Sequence, residues 1–216
     1  MIEHTEDRWL NIIMVVDITE VSLARQKLEH LVAHDELTGL LSRRGFNTQH
    51  ADGKRQRDYD LFLIDVDHFK SVNDAYGHEI GDALLRKIAK VLQEKAKPLG
   101  CASRIGGEEC ALMRPVTRHE PNQHFAEDLM RDIAATVLHT PSGPVSRTIS
   151  VGLTRLNRSD RLETAVKWAD WAQRAAKENG RNTVVVTNER FSENLRLQGK
   201  LTSHQDIVQA LEKKRD

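Results

Sequence analysis

The chain has 216 residues, 39% hydrophobic and 30% charged, and its 32 Lys and Arg are balanced by 32 Asp and Glu. That length supports one full domain with modest flanking segments, and the hydrophobic share excludes a wholly disordered chain. A net charge of zero lacks the basic excess expected of a nucleic-acid binder. The longest nearly apolar run, Leu10 to Val16, falls far short of the roughly 20 residues that cross a bilayer. Met1 is followed by Glu3, Glu6 and Asp7, which does not read as a secretory leader. Cys101 and Cys110 have no His or Cys at metal-ligand spacing and suit a reducing compartment as apolar residues. A cytoplasmic protein without membrane or nucleic-acid contact is expected.

In chain order, Leu10 to Val16 reads as a short buried strand, ending at Asp17-Ile18-Thr19. Thr19 suits the N-cap of a helix running to about His34. Val21 and Leu28 are seven apart, as are Ala24 and Leu31, a seam that fits a dimerising coiled coil or one amphipathic helix docked on a domain. The strand needs neighbours, so it either joins the main sheet or ends an upstream domain. Val15 to Glu20, followed by a charged helix, is similar to the exit of a PAS sensory domain.

From Asp35 onward, strands and helices alternate. Strands are expected at Tyr59 to Asp65, Cys101 to Ile105, Glu109 to Arg114, Thr148 to Thr154 and Thr183 to Val186. Helices are expected over Glu79 to Lys95, along Phe125, Leu129, Ile133 and Val137, and over Leu162 to Lys177. This order, with one hairpin in the middle, predicts an α/β fold: a mixed central sheet flanked by helices.

Three stretches carry chemistry. Leu61 to Ile64 is apolar and ends abruptly in Asp65 and Asp67, which point to one face of a strand. Carboxylates at the end of a buried strand are costly unless neutralised; a hard divalent cation would do this, and a solvated loop is the plain alternative. Arg104-Ile105-Gly106-Gly107-Glu108-Glu109 predicts a tight hairpin with positive φ at the glycines, which leaves the two adjacent acids unexplained. Lys177 to Asn182 closes a helix with Gly180 at C′. Its cations suit a helix C-terminus on dipole grounds, and would equally clamp phosphate if they faced the acids.

Asp35 to Leu40, Asp65 to Asp82, Arg104 to Glu109, Ser150-Val151-Gly152 and Lys177 to Asn182 together resemble the GGDEF domain of diguanylate cyclases, in the family's order and spacing, over about residues 33 to 187. The resemblance implies a nucleotide-cyclase-like palm fold with a largely antiparallel sheet. It divides the chain into 1–34 (the end of an upstream, PAS-like segment with a signalling helix), 35–187 (the GGDEF domain) and 188–216 (a C-terminal extension). It further implies condensation of two GTP into cyclic di-GMP and two pyrophosphates across an antiparallel homodimer, with two Mg²⁺ or Mn²⁺ ions per site. The alternative is a degenerate module that binds GTP or a partner without turnover.

Residue by residue, the resemblance makes Asp65, the Val66 carbonyl and Glu108 metal ligands, and Asn73 and Asp82 the guanine-reading pair. Phe69 and Lys70 fall where the family holds the β- and γ-phosphates, helped by Lys177 and Arg181, with Gly106 and Gly107 against the nucleotide. Glu109, Glu108 and Lys70 are the expected catalytic groups. Several departures stand out. Cys110 replaces an aromatic and Gln173-Arg174 a typical Leu-Tyr, both read as changes in packing, and Ser42 replaces an Asn. Lys97-Pro98-Leu99-Gly100 occupies the place of the Arg-x-x-Asp motif through which many relatives bind product, so no such feedback site is expected. Trp168 and Trp171 are read as packing residues.

Overall fold

The computed structural model describes residues 32–51, 53–116 and 122–187. The strand expected at 10–16, most of the helix expected from Thr19, and 188–216 lie outside the described residues. A two-residue strand, Leu41–Ser42 (β1), leads into a seven-residue helix, Arg43–Gln49 (α1). Tyr59–Val66 (β2) is followed by Phe69–Tyr76 (α2) and His78–Ala96 (α3). Cys101–Arg104 (β3) and Glu109–Pro115 (β4) form the central hairpin. Asn122–Ala134 (α4), the small hairpin Leu138–Thr140 (β5) and Gly143–Val145 (β6), Ile149–Leu156 (β7), Leu162–Glu178 (α5) and Val184–Thr187 (β8) complete it.

The main sheet has the order β1-β3-β4-β2-β7-β8. Its four inner strands are antiparallel, whereas β1 and β8 run parallel to their neighbours. Along β2 the side chains alternate between two cores, as the period of a strand requires. Phe62, Ile64 and Val66 pack with Leu84, Ile88 and Leu92 of α3 and Leu129 and Ile133 of α4. Leu61 and Leu63 pack with Phe46 of α1 and Leu162, Ala165 and Ala169 of α5. The sheet is thus covered on both faces, and β2, at its centre, is apolar from Leu61 to Ile64, with Asp65 next.

The structure differs from the sequence expectation in its short elements. The helix expected to include Val137 ends at Ala134, and Leu138 starts a strand instead. The helices α1 and α2 span seven and eight residues and are not among the expected elements, although α2 turns Phe69, Val72 and Tyr76 to the core from one face. Ser42 preserves the cap of α1: its Oγ accepts from the Gly45 N–H at 3.1 Å, so replacing Asn there keeps a good N-cap. Gly152 lets α5 lie directly on β7; a Cβ there would stand 2.0 Å from the Ala169 carbonyl oxygen.

Candidate active site

The acids meet at the end of β2. Asp65 lies directly opposite Glu109 in the β2–β4 register. By alternation both face α5, because Leu63 and Ala111, two residues earlier and later, belong to that core. Like charges directly opposite on a strand pair are destabilising, so stability alone does not account for them. Lys177, in the last turn of α5, reaches over them and pairs its Nζ with Asp65 Oδ2 at 2.6 Å. Asp65 is only 6% exposed. Burial pushes its carboxyl above the ordinary range, Lys177 counters this, and the charges of Glu109 and Asp67 raise it further. Glu108 follows the same direction: burial first, then the charge of Asp65, outweigh Lys177.

Asp67 has a different fate from the one its spacing suggests. It is 2% exposed, and its oxygens accept from Ser150 Oγ and Thr148 Oγ1, each at 2.7 Å, and from the Asn182 N–H at 3.1 Å. Its own N–H donates to the Thr148 carbonyl at 2.9 Å. The residue is therefore a buried staple that ties the β2–α2 loop to β7 and to the α5–β8 turn. Around it sit the non-glycine residues with positive φ among those described: His68 at 55°, Arg181 at 64° and Asn182 at 45°. Such backbone persists only where surrounding structure enforces it, and it clusters at functional sites.

The hairpin corrects one expectation. Neither Gly106 nor Gly107 has positive φ. What Gly106 supplies is space: a Cβ would stand 2.6 Å from Glu109 Oε2. The turn closes through Ile105 N–H to the Glu109 carbonyl at 2.9 Å, leaving Glu108 at its tip. Arg104, which the sequence reading left without a role, donates to the Gly107 carbonyl through Nε at 3.0 Å and Nη2 at 2.8 Å. Its Nη1 meets both oxygens of Asp35 at 3.2 Å. Asp35 is in turn fixed by Thr38, whose Oγ1 donates at 2.6 Å and whose N–H donates at 2.9 Å. Arg43 Nε holds the Ile105 carbonyl at 2.9 Å. Two arginines thus grip the turn that carries the acids.

The expected nucleotide-reading residues lie on α2 and α3. Asn73 Oδ1 is buried and makes no hydrogen bond among the described residues. It lies where a Cβ on Gly81 would be, 2.0 Å away, which brings the amide against the backbone of α3 beside Asp82. Asp82 is half-buried. An unpaired buried acceptor of this kind is expensive. Phe69 does not offer its side chain: at 5% exposure the ring belongs to the core. Phe69 and Lys70 instead start α2, whose first N–H groups are open to an anion. The Lys70 side chain is exposed there. Val66 likewise offers only backbone, its side chain being buried and its N–H donating to the Glu108 carbonyl at 3.3 Å.

At the other end of the site, α5 closes in a Schellman turn. Gly180 has φ 92° at C′, and the Arg181 N–H donates back to the Ala176 carbonyl at 3.1 Å. Arg181 is exposed, one residue from the Asn182 N–H that holds Asp67. Cys110 is buried in the α3–α4 core, where burial pushes its thiol up to about 12. Gly100 has no room for any side chain, since a Cβ would meet the Met113 carbonyl oxygen at 2.3 Å. Lys97 is spent on Glu94 at 2.7 Å. Trp168 and Trp171 pack edge to face, 4.9 Å between ring centroids.

Asp65 and Glu108 are hard oxygen donors that folding brings within each other's electrostatic reach beside Lys177, and that donor set fits a divalent cation. Among the described residues no three His, Cys, Asp or Glu side chains form a full cage. Mg²⁺ is ordinarily held by one or two carboxylates with substrate phosphates, so a pair is sufficient. No described helix is long and apolar enough to cross a membrane.

The family model described as diguanylate cyclase, GGDEF domain matches residues 32–183. Diguanylate cyclase DgcM of Escherichia coli is 36% identical over 182 residues, covering 82% of this chain and 44% of the relative. Diguanylate cyclase VdcA of Vibrio cholerae is 35% identical, covering 79% of this chain and 51% of its own length. The chain therefore spans about half the length of these relatives. Among solved structures, the coiled coil and GGDEF domain of DgcB from Caulobacter crescentus in complex with c-di-GMP superposes with a TM-score of 0.68 at 28% identity, covering 78% of this chain and 94% of that one. Diguanylate cyclase SiaD of Pseudomonas aeruginosa, in complex with its activator SiaC, gives 0.67 at 30% identity, covering 78% and 67%.

Proposed function

The chain belongs to the GGDEF family of diguanylate cyclase domains, and from that premise we propose that it condenses two GTP molecules into cyclic di-GMP with release of two pyrophosphates, in the cytoplasm. The observation that carries this is the Asp65–Glu109 pair, two acids directly opposite at the end of a buried strand, with Lys177 over Asp65 and Glu108 at the adjacent turn.

In this reading Asp65, the Val66 carbonyl and Glu108 hold the divalent cations, two Mg²⁺ or Mn²⁺ per site. Bound there, the ions supply Lewis-acid stabilisation of the attacking and leaving oxygens. Asn73 and Asp82 read guanine: the orphaned Asn73 Oδ1 accepts from the base, and the Asp82 carboxylate accepts from its N–H edge. The open N–H groups of Phe69 and Lys70, with the Lys70, Lys177 and Arg181 side chains, bind the polyphosphate. Gly106 and Gly107 let the nucleotide lie against the hairpin, and Glu109 stands ready to accept the 3′-hydroxyl proton.

The groups in one domain suffice for one GTP, so the bond between two nucleotides requires a second copy facing the first. Homodimerisation is therefore part of the proposal, with residues 1–34 as the upstream signalling segment and 188–216 as an extension. Incubation with GTP and Mg²⁺, followed by chromatography for cyclic di-GMP, tests it. Product formation that rises faster than linearly with enzyme concentration is expected. GTP binding without product would identify a non-catalytic module instead.

A further inference from the structure

Arg147 lies half-buried in the link between β6 and β7. Its Nη1 donates to the Ser146 carbonyl at 2.8 Å and its Nη2 to Ser71 Oγ at 3.1 Å. Its Nε is buried and has no partner among the described residues, so these two bonds do not satisfy the group. Both acceptors are neutral, and no described carboxylate pairs with the guanidinium. A guanidinium cannot shed its proton, and setting it partly out of water against neutral dipoles alone is unfavourable. The counter-charge that suits its planar fork is a carboxylate or a phosphate.

The place of Arg147 in the fold selects phosphate. Ser71 stands in the first turn of α2, directly after Lys70, and its Oγ donates to the His68 carbonyl at 2.7 Å while accepting from Arg147. The next residue, Thr148, donates to Asp67, as does the N–H of Asn182 beside Arg181. Arg147 and Arg181 therefore approach the β2–α2 loop from two different links, each one residue from a group bonded to Asp67. The oxygens of Asp67 are taken by Thr148, Ser150 and Asn182, so the loop itself supplies no counter-charge. The same loop leads into the open N–H groups at the start of α2. We propose that Arg147 is a further polyphosphate-binding residue, its guanidinium donating to the terminal phosphates of the nucleotide and to the pyrophosphate released from it. The assignment rests on the GTP reading and adds to Lys70, Lys177 and Arg181 a fourth cation, supplied by the β6–β7 link.

Pyrophosphate in the presence of Mg²⁺ is the probe, titrated calorimetrically into the full chain. Arg147→Leu should weaken its binding about tenfold or more. Arg147→Lys should recover part of the loss, keeping the charge without the fork. Ser71→Ala, which removes the tether and leaves the guanidinium, should weaken binding less than about threefold. With GTP as substrate, Arg147→Leu should raise KM by about the factor by which it weakens pyrophosphate, with a smaller fall in kcat. In the unaltered chain, the Arg147 Nε–H resonance should shift when pyrophosphate is added. A wild-type chain that binds no pyrophosphate would overturn the polyphosphate reading itself, and this assignment with it. Binding that Arg147→Leu leaves unchanged, or an Nε–H resonance that stays still while pyrophosphate binds, would overturn the assignment alone. So would equal losses in Ser71→Ala and Arg147→Leu, which would make Arg147 only a tether of the loop.

Discussion

Glu108 holds its carboxyl above the ordinary range because of burial first, then the charge of Asp65, with Lys177 pulling the other way and Glu109 adding to the rise. A raised pKa means that the folded chain keeps the proton more tightly than the unfolded one. Ionisation as pH rises therefore costs stability. Glu108→Gln should raise the melting temperature of the metal-free protein at neutral pH by about 1–2 °C, a modest gain because the side chain is partly exposed and screened. The same change should reduce turnover by on the order of 10²–10³-fold, as expected when an anionic metal ligand is lost. Thermal melts without metal and product assays with metal check the two halves; unchanged turnover would remove Glu108 from the ligand set. Asp65 was legible in the sequence because an apolar run ended in it, and Glu108 because the Gly106-Gly107 turn left the acids after it unexplained. The role of Asp67 was not, since the hydroxyls that satisfy it, Thr148 and Ser150, lie 81 and 83 residues away.

Between elements, small residues decide what fits. The crossing of α2 and α3 has room for the Asn73 amide only because position 81 lacks a Cβ. Gly81→Ala should favour the helix itself, since Ala is the better helix former by about 1 kcal/mol. It should nevertheless displace Asn73, lower kcat/KM for GTP by about tenfold or more, and narrow the preference for GTP over ATP, because discrimination of this kind rests on placed polar groups. Calorimetric titration with both nucleotides tests this, and an unaltered preference would mean that Asn73 does not read the base. The link between α3 and β3 is a second case. Position 100 cannot hold the carboxylate that a product-binding motif needs, because two backbone carbonyls occupy that space. Progress curves with added cyclic di-GMP should therefore show little inhibition through this link, and strong inhibition lost in Lys97→Ala would contradict it. Long elements such as α3 and α5 were readable from their apolar period. The short α1 and α2 were not, being set by a cap at Ser42 and by the enforced backbone at His68.

Across the whole molecule, the two-faced sheet follows from the alternation in β2, while the charged groups buried with it set how stability varies with pH. His50 is buried beside Phe46 and Tyr59, with Nε2 at 2.9 Å from Cys101 Sγ. Burial, and then the charge of Arg55, push its imidazole down from 6.5 to about 4. The folded chain thus refuses a proton that the unfolded chain accepts, and stability is lost as pH falls from about 6.5 towards 4. The buried carboxyls act in the opposite direction: Asp60 is raised by burial despite Arg155, and Asp65 and Glu108 are raised as well, so each contributes stability as pH falls. Asp35 starts to cost stability only near its ordinary range and below, because Thr38 and Arg104 hold it down against the effect of burial. Among the described residues, the loss above that range is carried by His50. Denaturant unfolding should give about 2 kcal/mol less stability from this residue at pH 5 than at pH 7, before the opposing gain from the carboxyls. His50→Gln keeps a polar group near Cys101 and removes the titration. In that variant, stability should hold steady or rise between pH 7 and pH 5, while the wild type falls relative to it; parallel profiles for the two proteins would show that His50 takes up its proton in the folded state after all.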